Sequence, residues 1–417
     1  MKKKILHIIP NLGAGGAQRV FSQLSLLFNE HYNVMLCVFN KEMEDLYQNT
    51  ISYTSLDVYE GKGIWNKIVN LFHRINRLKL LKRQVNPDVS ISHLEGADLI
   101  NVLTGIKDRS IVVFHGSKKA DIKYKGAYHF FRHAILIPLV IKKADHIICV
   151  SEGIRSEIIS QYNSSPEKIS VVYNFFDING IEKFSNEILS DTILDSLFDS
   201  KDILINCARL DIQKNINALL DIFVIVKKHS KDVKLLLLGD GDERDSLIYY
   251  SKECKLKTYD CWSQPVVTND FDVYFLGNIA NPFCYIKRAK IFTLTSGWEG
   301  FPLALGEAMI CGTPVISTDC LTGPREMLAP GTELVGNLLE SEFADYGVLM
   351  PLLDKKNKSY DESVRLWSRT ILELLQDEKR LKHYSDKGIE RMKNFSREKI
   401  VDRWLKIIAF VLGESKQ

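Results

Sequence analysis

Nothing in the cysteine pattern of this 417-residue chain suggests metal or disulfide chemistry. Its eight cysteines are scattered, with no Cys-x-x-Cys pair and no accompanying histidine cluster. Neither a zinc site nor a disulfide framework is indicated, and a reducing cytoplasm fits. Long hydrophobic runs are also missing. The most apolar stretch, Ala134 to Ile141, is far short of the ~20 residues that span a bilayer, so no segment is expected to cross a membrane. The basic-then-apolar start, MKKKILHIIP, runs into a glycine loop without a small-residue cleavage site and does not read as a signal peptide. Short-period repeats and low-complexity tracts do not occur. A large charge of one sign is absent as well: the net charge is only +3. That balance hides an asymmetry. Residues 1–174 carry 23 Lys and Arg against 15 Asp and Glu, while residues 175–417 carry 32 against 37. The front half is the basic half, which suits an anionic partner. No recognition module accompanies the charge, so nucleic acid is not expected.

What is present is ordinary globular composition, 45% hydrophobic and 26% charged, in a chain longer than the ~250–300 residues at which single cores stop growing. Two domains are therefore expected. Apolar runs alternate with helical patterns from the start. Strands are predicted at Ile5–Ile9, Val34–Phe39, Val89–His93, Ile111–His115, Ile147–Val150 and Val171–Tyr173. After a connector of mixed character a second series follows at Ile203–Ala208, Val233–Leu238, Val273–Leu276, Ile291–Thr295 and Val315–Ser317. Such alternation predicts doubly wound parallel sheets, with ligands at the C-terminal ends of the strands.

One stretch organises the rest. Lys290–Thr295 reads as a buried strand and runs into Ser296-Gly-Trp-Glu299-Gly300-Phe301-Pro302-Leu303, then a helical pattern through Glu307 to Cys311-Gly312. Pro302 suits a first helical position and Gly312 a left-handed end, giving a helix of about three turns. The unpartnered N–H groups at that start, with the helix dipole, suit a phosphate or a sugar oxygen. Glu299 in the loop and Glu307 in the second turn can each accept hydroxyl protons from different parts of one extended ligand. Gly306 costs about 1 kcal/mol of helix propensity, which predicts a close neighbour there.

The run E299-GF…E307-AMI-CGTPVIS resembles the signature of glycosyltransferase family 4, a large retaining family with the GT-B fold. Gly306 and Ile310 depart from it, where Leu and Ala are commoner. The resemblance implies two Rossmann-like doubly wound parallel-sheet domains facing a central cleft. Their expected boundaries are an acceptor-binding domain at 1–174, a connector at 175–201, a nucleotide-sugar-binding domain at 202–395, and a C-terminal helix at 396–417 packing back toward the first domain. It also implies that Glu299 holds hydroxyls of the donor sugar and Glu307 those of the ribose, with Gly300, Phe301, Pro302 and Leu303 lining the donor site.

Further motifs extend the likeness over most of the chain. Arg209-Leu-Asp-Ile-Gln-Lys214 leaves a strand and resembles the family's Arg-Leu-x-x-x-Lys motif, which grips the leaving diphosphate; Arg supplies a fork and Lys a point charge. Asn215 stands where Gly is usual. Gly239-Asp240-Gly241 matches a turn built for its backbone, and Gly277-Asn278-Ile279 matches the segment whose main chain meets the base. The preceding insert, Tyr259 to Pro265, is longer than typical. His115, after a strand, matches the family's cleft histidine on the donor sugar. Gly15 and Gly16 match the loop that approaches the diphosphate, with Arg19 nearby. That loop lacks the third glycine of a dinucleotide fingerprint, and Lys41 stands near where its acid belongs, with Glu42 and Glu44 beyond, which disfavours a nicotinamide oxidoreductase. Thr322-Gly323-Pro324-Arg325-Glu326 resembles members that build bacterial oligosaccharides and surface polysaccharides.

Two basic–aromatic stretches complete the reading. Lys62 to Arg83 is an amphipathic helix with Lys67, Arg74, Arg77, Lys79, Lys82 and Arg83 on a polar side poor in acids; Lys118 to Arg132 adds Lys119, Lys123, Tyr124, Lys125, Tyr128, Phe130 and Phe131. Core packing accounts for most of the apolar stripe, and an anionic membrane surface for the charge. The expected activity is transfer of a hexose or N-acetylhexosamine from a UDP-sugar to a polyprenyl-diphosphate-linked saccharide. No metal or cofactor is required, and the enzyme would sit at the inner face of the cell membrane. A catalytically inactive nucleotide-sugar-binding subunit is the alternative.

Overall fold

The structure, a computed structural model, describes residues 2–13, 15–41, 51–59, 63–119, 126–189, 192–200, 202–264, 266–333 and 338–414. Glu42, Glu44, Lys62, Lys123, Tyr124, Lys125 and Pro265, named above, lie outside the described residues.

The chain divides into two compact units, Met1–Phe175 with Glu398–Gln417, and Phe176–Arg397. In the first, the described residues include seven strands, β1 Lys4–Ile9, β2 Asn33–Val38, β3 Tyr53–Ser55, β4 Val89–His93, β5 Arg109–Phe114, β6 His146–Cys149 and β7 Ile169–Val171. They form one parallel sheet in the order β3-β2-β1-β4-β5-β6-β7. Strand order reverses between β1 and β4, the point at which an open α/β sheet leaves a crevice at its carboxyl edge. Residues of β1, β4 and β5 are almost all fully buried, as a sheet covered on both faces requires. The final helix, Arg397–Val411, belongs to this unit and sets Trp404 against Phe28 at 5.4 Å between ring centroids.

The second unit holds β8 Ile203–Cys207, β9 Lys234–Leu238, β10 Thr258–Asp260, β11 Val273–Gly277, β12 Ile291–Leu294, β13 Val315–Thr318, β14 Glu342–Phe343 and β15 Val348–Met350. Their order is β10-β11-β9-β8-β12-β13-β15-β14, and only the short β14 runs antiparallel, on β15. Here the reversal falls between β8 and β12. Within 175–201, expected as a connector, the described residues include two helices, Ile178–Ser185 and Thr192–Ser200, and both belong to this unit. Asp177 caps the first by accepting from the Gly180 N–H, and Ile181 is buried, so the segment has its own packing face.

The basic face expected on the helix Ile64–Val85 is partly wrong. Leu71, Ile75, Leu78 and Leu81 pack toward the core, and Lys82 follows the same stripe inward. Its side chain is fully buried, its ammonium 2.8 Å from Asp108 Oδ2 and 2.7 Å from Asn101 Oδ1. Arg132, expected on the second basic stretch, is also buried and grips Glu95 with Nε and Nη2, each at 2.7 Å. Both cations are internal struts. Lys67, Arg77, Lys79 and Arg83 remain exposed beside Trp65, Ile68, Val69 and Phe72. Among the described residues no helix is long and apolar enough to cross a membrane.

Candidate active site

The loops leaving β8 and β12 meet because those strands are neighbours. After β8, Asp211 turns the chain by accepting from the Lys214 N–H, closing a 3₁₀ turn at Ile212–Lys214. Asn215 then takes φ 52°, left-handed. This explains why Asn replaces Gly there: it is among the few side-chain-bearing residues that visit that region readily. Lys214 reaches Glu299 in the loop after β12, Nζ to Oε1 2.7 Å, with side chains only 17% and 7% exposed. The loops are stapled along their length. Gln213 accepts from the Gly297 N–H at 2.8 Å and donates to the Trp298 carbonyl at 2.7 Å. Thr295 donates to the Lys214 carbonyl, and Thr322, from the loop after β13, donates to the Glu299 carbonyl.

The helix that follows is shorter than expected: Leu303–Ile310, about two turns. Pro302 is not its first residue but its N-cap, at φ −70° and ψ 113°, an extended geometry that turns the chain into the helix. No side chain caps this start. The first-turn amides of Leu303, Ala304 and Leu305 thus receive no side-chain cap, a geometry suited to a ligand oxygen. Gly300, Phe301 and Pro302 are buried and Leu303 half-buried, while Gly323 lies so close that a Cβ on it would meet the Gly300 carbonyl at 2.7 Å. Gly312 ends the helix at φ 75°, as expected. Glu307 is buried in the second turn.

Gly306 has the close neighbour its propensity cost predicts. A Cβ there would fall 2.3 Å from Phe176 Cζ and 2.9 Å from Met392 Cε. Gly306→Ala should therefore lower stability by about 1–3 kcal/mol despite its better helix propensity, because the Phe176 ring must move. The urea midpoint checks this, and a rise would show that the packing is loose.

Arg209 and Lys214, expected to converge on one anion, are held by separate carboxylates: Arg209, 55% exposed, pairs with Asp211 at 3.0 Å. Asn278 is exposed and Ile279 half-buried just past β11, whose last residue, Gly277, takes φ 67° and accepts from the Gly239 N–H. Gly239 can be no other residue, since a Cβ there would sit 2.0 Å from the Ala208 carbonyl oxygen. The long insert places Trp262 beside Gly277, with the Arg244 guanidinium 4.9 Å from its ring. Neither residue carries a local signal that would single it out.

In the first unit, Gly15 caps and Gly16 opens the helix Gly16–His31, which likewise has no side-chain cap. His115 stands one residue past β5 and is half-buried. Its Nε2 lies 2.7 Å from His93 Nδ1, and His93 Nε2 lies 2.7 Å from His7 Nε2. Burial pushes the His115 imidazole down to about 3, helped by the nearby Lys118 ammonium, and burial likewise takes His7 to about 3. His93 is also held well below its ordinary value, first by burial and then by its two neighbours. All three rings are neutral at physiological pH. The partnership of His7 and His93 with His115 was missed from sequence; its only signal was a histidine inside each of two apolar strands.

Two parallel α/β units with phosphate-suited loops at their switch points define a GT-B glycosyltransferase. Residues 14–179 match Glycosyltransferase Family 4, and residues 195–346 match Glycosyl transferases group 1. The chain belongs to the family 4 type of these enzymes. An uncharacterized glycosyltransferase of Methanocaldococcus jannaschii is 29% identical over 79% of this chain and 82% of its own. The N-acetylgalactosamine-N,N'-diacetylbacillosaminyl-diphospho-undecaprenol 4-alpha-N-acetylgalactosaminyltransferase of Campylobacter jejuni is 26% identical over 97% and 99%. The crystal structure of Anabaena HepE in complex with UDP and glucose superposes with a TM-score of 0.73 at 16% identity, covering 98% of this chain and all of that one.

Proposed function

We propose that this chain is a retaining transferase moving a hexose or N-acetylhexosamine from a UDP-sugar to a saccharide carried on a polyprenyl diphosphate. The observation that carries this reading is the Lys214–Glu299 pair, locked between the β8 and β12 loops beside an uncapped helix start. A cation and a set of amides suit the leaving diphosphate; a carboxylate beside them suits sugar hydroxyls. The Anabaena structure holds UDP, and the Campylobacter enzyme acts on an undecaprenyl-diphosphate-linked acceptor, which supports the donor and acceptor classes.

In this reading Lys214, Arg209 and the Gly300–Leu303 backbone stabilise the diphosphate as the anomeric C–O bond breaks and UDP takes the bonding pair. Preorganised charge of this kind is commonly the largest catalytic term. Glu299 and His115 hold sugar hydroxyls and Glu307 those of the ribose. The backbone at Gly15 and Gly16 approaches the diphosphate, and that of Asn278 and Ile279 the base. The acceptor hydroxyl attacks on the face the diphosphate leaves and gives its proton to a leaving phosphate oxygen. No metal is required. An α-linked UDP-sugar should therefore give an α-glycoside, with turnover surviving EDTA; a β-product, read from the anomeric proton coupling of a gluco- or galacto-configured sugar, would falsify the mechanism.

The lipid-linked acceptor implies work at an anionic membrane surface. Trp65, 77% exposed, and Phe72, 61% exposed, share the helix Ile64–Val85 with exposed Lys67, Lys79 and Arg83. Replacing those three cations with Gln should weaken binding to anionic vesicles and remove its salt sensitivity, since exposed charges are screened over ~10 Å at 0.1 M salt. Equal binding of parent and variant to neutral and anionic vesicles would sink the membrane assignment.

A further inference from the structure

β1, β4 and β5 lie side by side, and His7 on β1, His93 on β4 and His115 just past β5 form a single hydrogen-bonded row. The row continues past His7, whose Nδ1 lies 2.8 Å from Ser25 Oγ, to the Phe21 carbonyl, which accepts from that hydroxyl at 2.7 Å. A neutral imidazole has one N–H and one lone pair, so a direction set at one end propagates to the other. The carbonyl can only accept. Ser25 therefore spends its one proton on Phe21, the common back-bond of a helical serine, and must accept from His7 Nδ1–H. His7 Nε2 then accepts from His93 Nε2–H, and His93 Nδ1 accepts from His115 Nε2–H. The opposite direction forfeits the Ser25–Phe21 bond and gains none. A protonated ring inside the row would set two donors head to head. Trp404 stacks on His93 at 6.5 Å between centroids, packing against the middle ring of the row.

The outcome at the open end is specific. His115 Nδ1 bears no proton, and it has no hydrogen-bond partner among the described residues. We propose that Ser25, His7 and His93 are positioning residues that hold His115 in its Nε2–H tautomer, presenting the Nδ1 lone pair as acceptor for one hydroxyl of the transferred sugar. This rests on the reading of His115 as a sugar-binding residue. It makes that hydroxyl a specificity determinant: a sugar lacking it, or carrying fluorine there, cannot donate.

Nitrogen-15 NMR of the full chain tests the row directly, because protonated and bare imidazole nitrogens resonate far apart. In the parent, His115 should show a protonated Nε2 and a bare Nδ1; the reverse overturns the inference without any variant. Ser25→Ala removes the anchor of direction, so His115 should become a mixture of tautomers and kcat/KM should fall in proportion to the Nε2–H fraction left, about twofold for an even mixture. His93→Phe, which keeps a ring beside Trp404 but breaks the row, should behave alike. An unchanged His115 tautomer in a folded Ser25→Ala overturns the positioning role. A changed tautomer with unchanged turnover overturns instead the contact between His115 and the sugar.

Discussion

Replacing Lys214 with alanine is expected to lower kcat by about 10²-fold or more while leaving KM nearly unchanged, because its partner charge grows as the diphosphate leaves. The structure adds a complication and a way around it. Lys214 is the ion-pair partner of Glu299, whose side chain is only 7% exposed, so truncation also strands a carboxylate. Leaving one member of a buried pair alone is costly in itself. Comparing the double variant Lys214→Ala, Glu299→Gln with Glu299→Gln alone separates the two effects, because both lack the carboxylate. If Lys214 serves the transition state, the double variant stays far slower than Glu299→Gln even though its stability recovers. Recovery of kcat, or an effect of the single change confined to KM, would reduce Lys214 to a structural or simple binding role.

Asp108→Ala should cost about 3–5 kcal/mol of unfolding free energy, the usual penalty for breaking a fully buried ion pair. Asp108 Oδ2 receives the Lys82 ammonium at 2.8 Å and the Ser90 hydroxyl at 2.6 Å, and Oδ1 accepts from the Ile106 N–H at 2.9 Å. Burial already holds the Lys82 ammonium below its ordinary value against the pull of Asp108. Without Asp108 that depression deepens. A folded-state value below the unfolded one means that the unfolded chain binds more protons, so stability rises with pH. The urea midpoint of the variant should therefore climb from neutral pH toward ~10 more steeply than the parent's. Lys82→Met with Asp108→Leu removes both charges and should lie much nearer the parent. A midpoint unmoved by Asp108→Ala would mean that solvent reaches Lys82 after all.

These two lysines show where a sequence is legible. Lys214 follows a strand within a recognisable motif, and its loop is where the alternation of apolar runs and helical patterns places it. Lys82 was misread because a single helix pattern assigns every lysine to the wet face by default. A signal existed: Leu71, Ile75, Leu78 and Lys82 follow one another at spacings of four, three and four, so the lysine continues the apolar stripe. Its partner Asp108 was not legible, since nothing local links a loop acid to a helix 26 residues earlier. Likewise β3, β10, β14 and β15, of two or three residues each, fall below the length at which a period of two can be read. The helices at Ile178–Ser185 and Thr192–Ser200 were hidden in a stretch of mixed character, whose apolar residues find their neighbours only in the assembled unit.

By itself the sequence determined the β/α alternation, the glycines at 239, 306 and 312, and the two glutamates that frame a helix start. Those follow from backbone geometry and side-chain chemistry that act over a few residues. Only the tertiary structure decided that Lys214 rests on Glu299 while Arg209 turns to Asp211, and that His7, His93 and His115 share one row. Both outcomes depend on which strands are neighbours: β8 beside β12, and β1 beside β4 beside β5. Hydrophobic periodicity is local and says that strands exist. Their order is set by how the crossover helices pack on the sheet, a choice made by contacts between residues far apart in the chain.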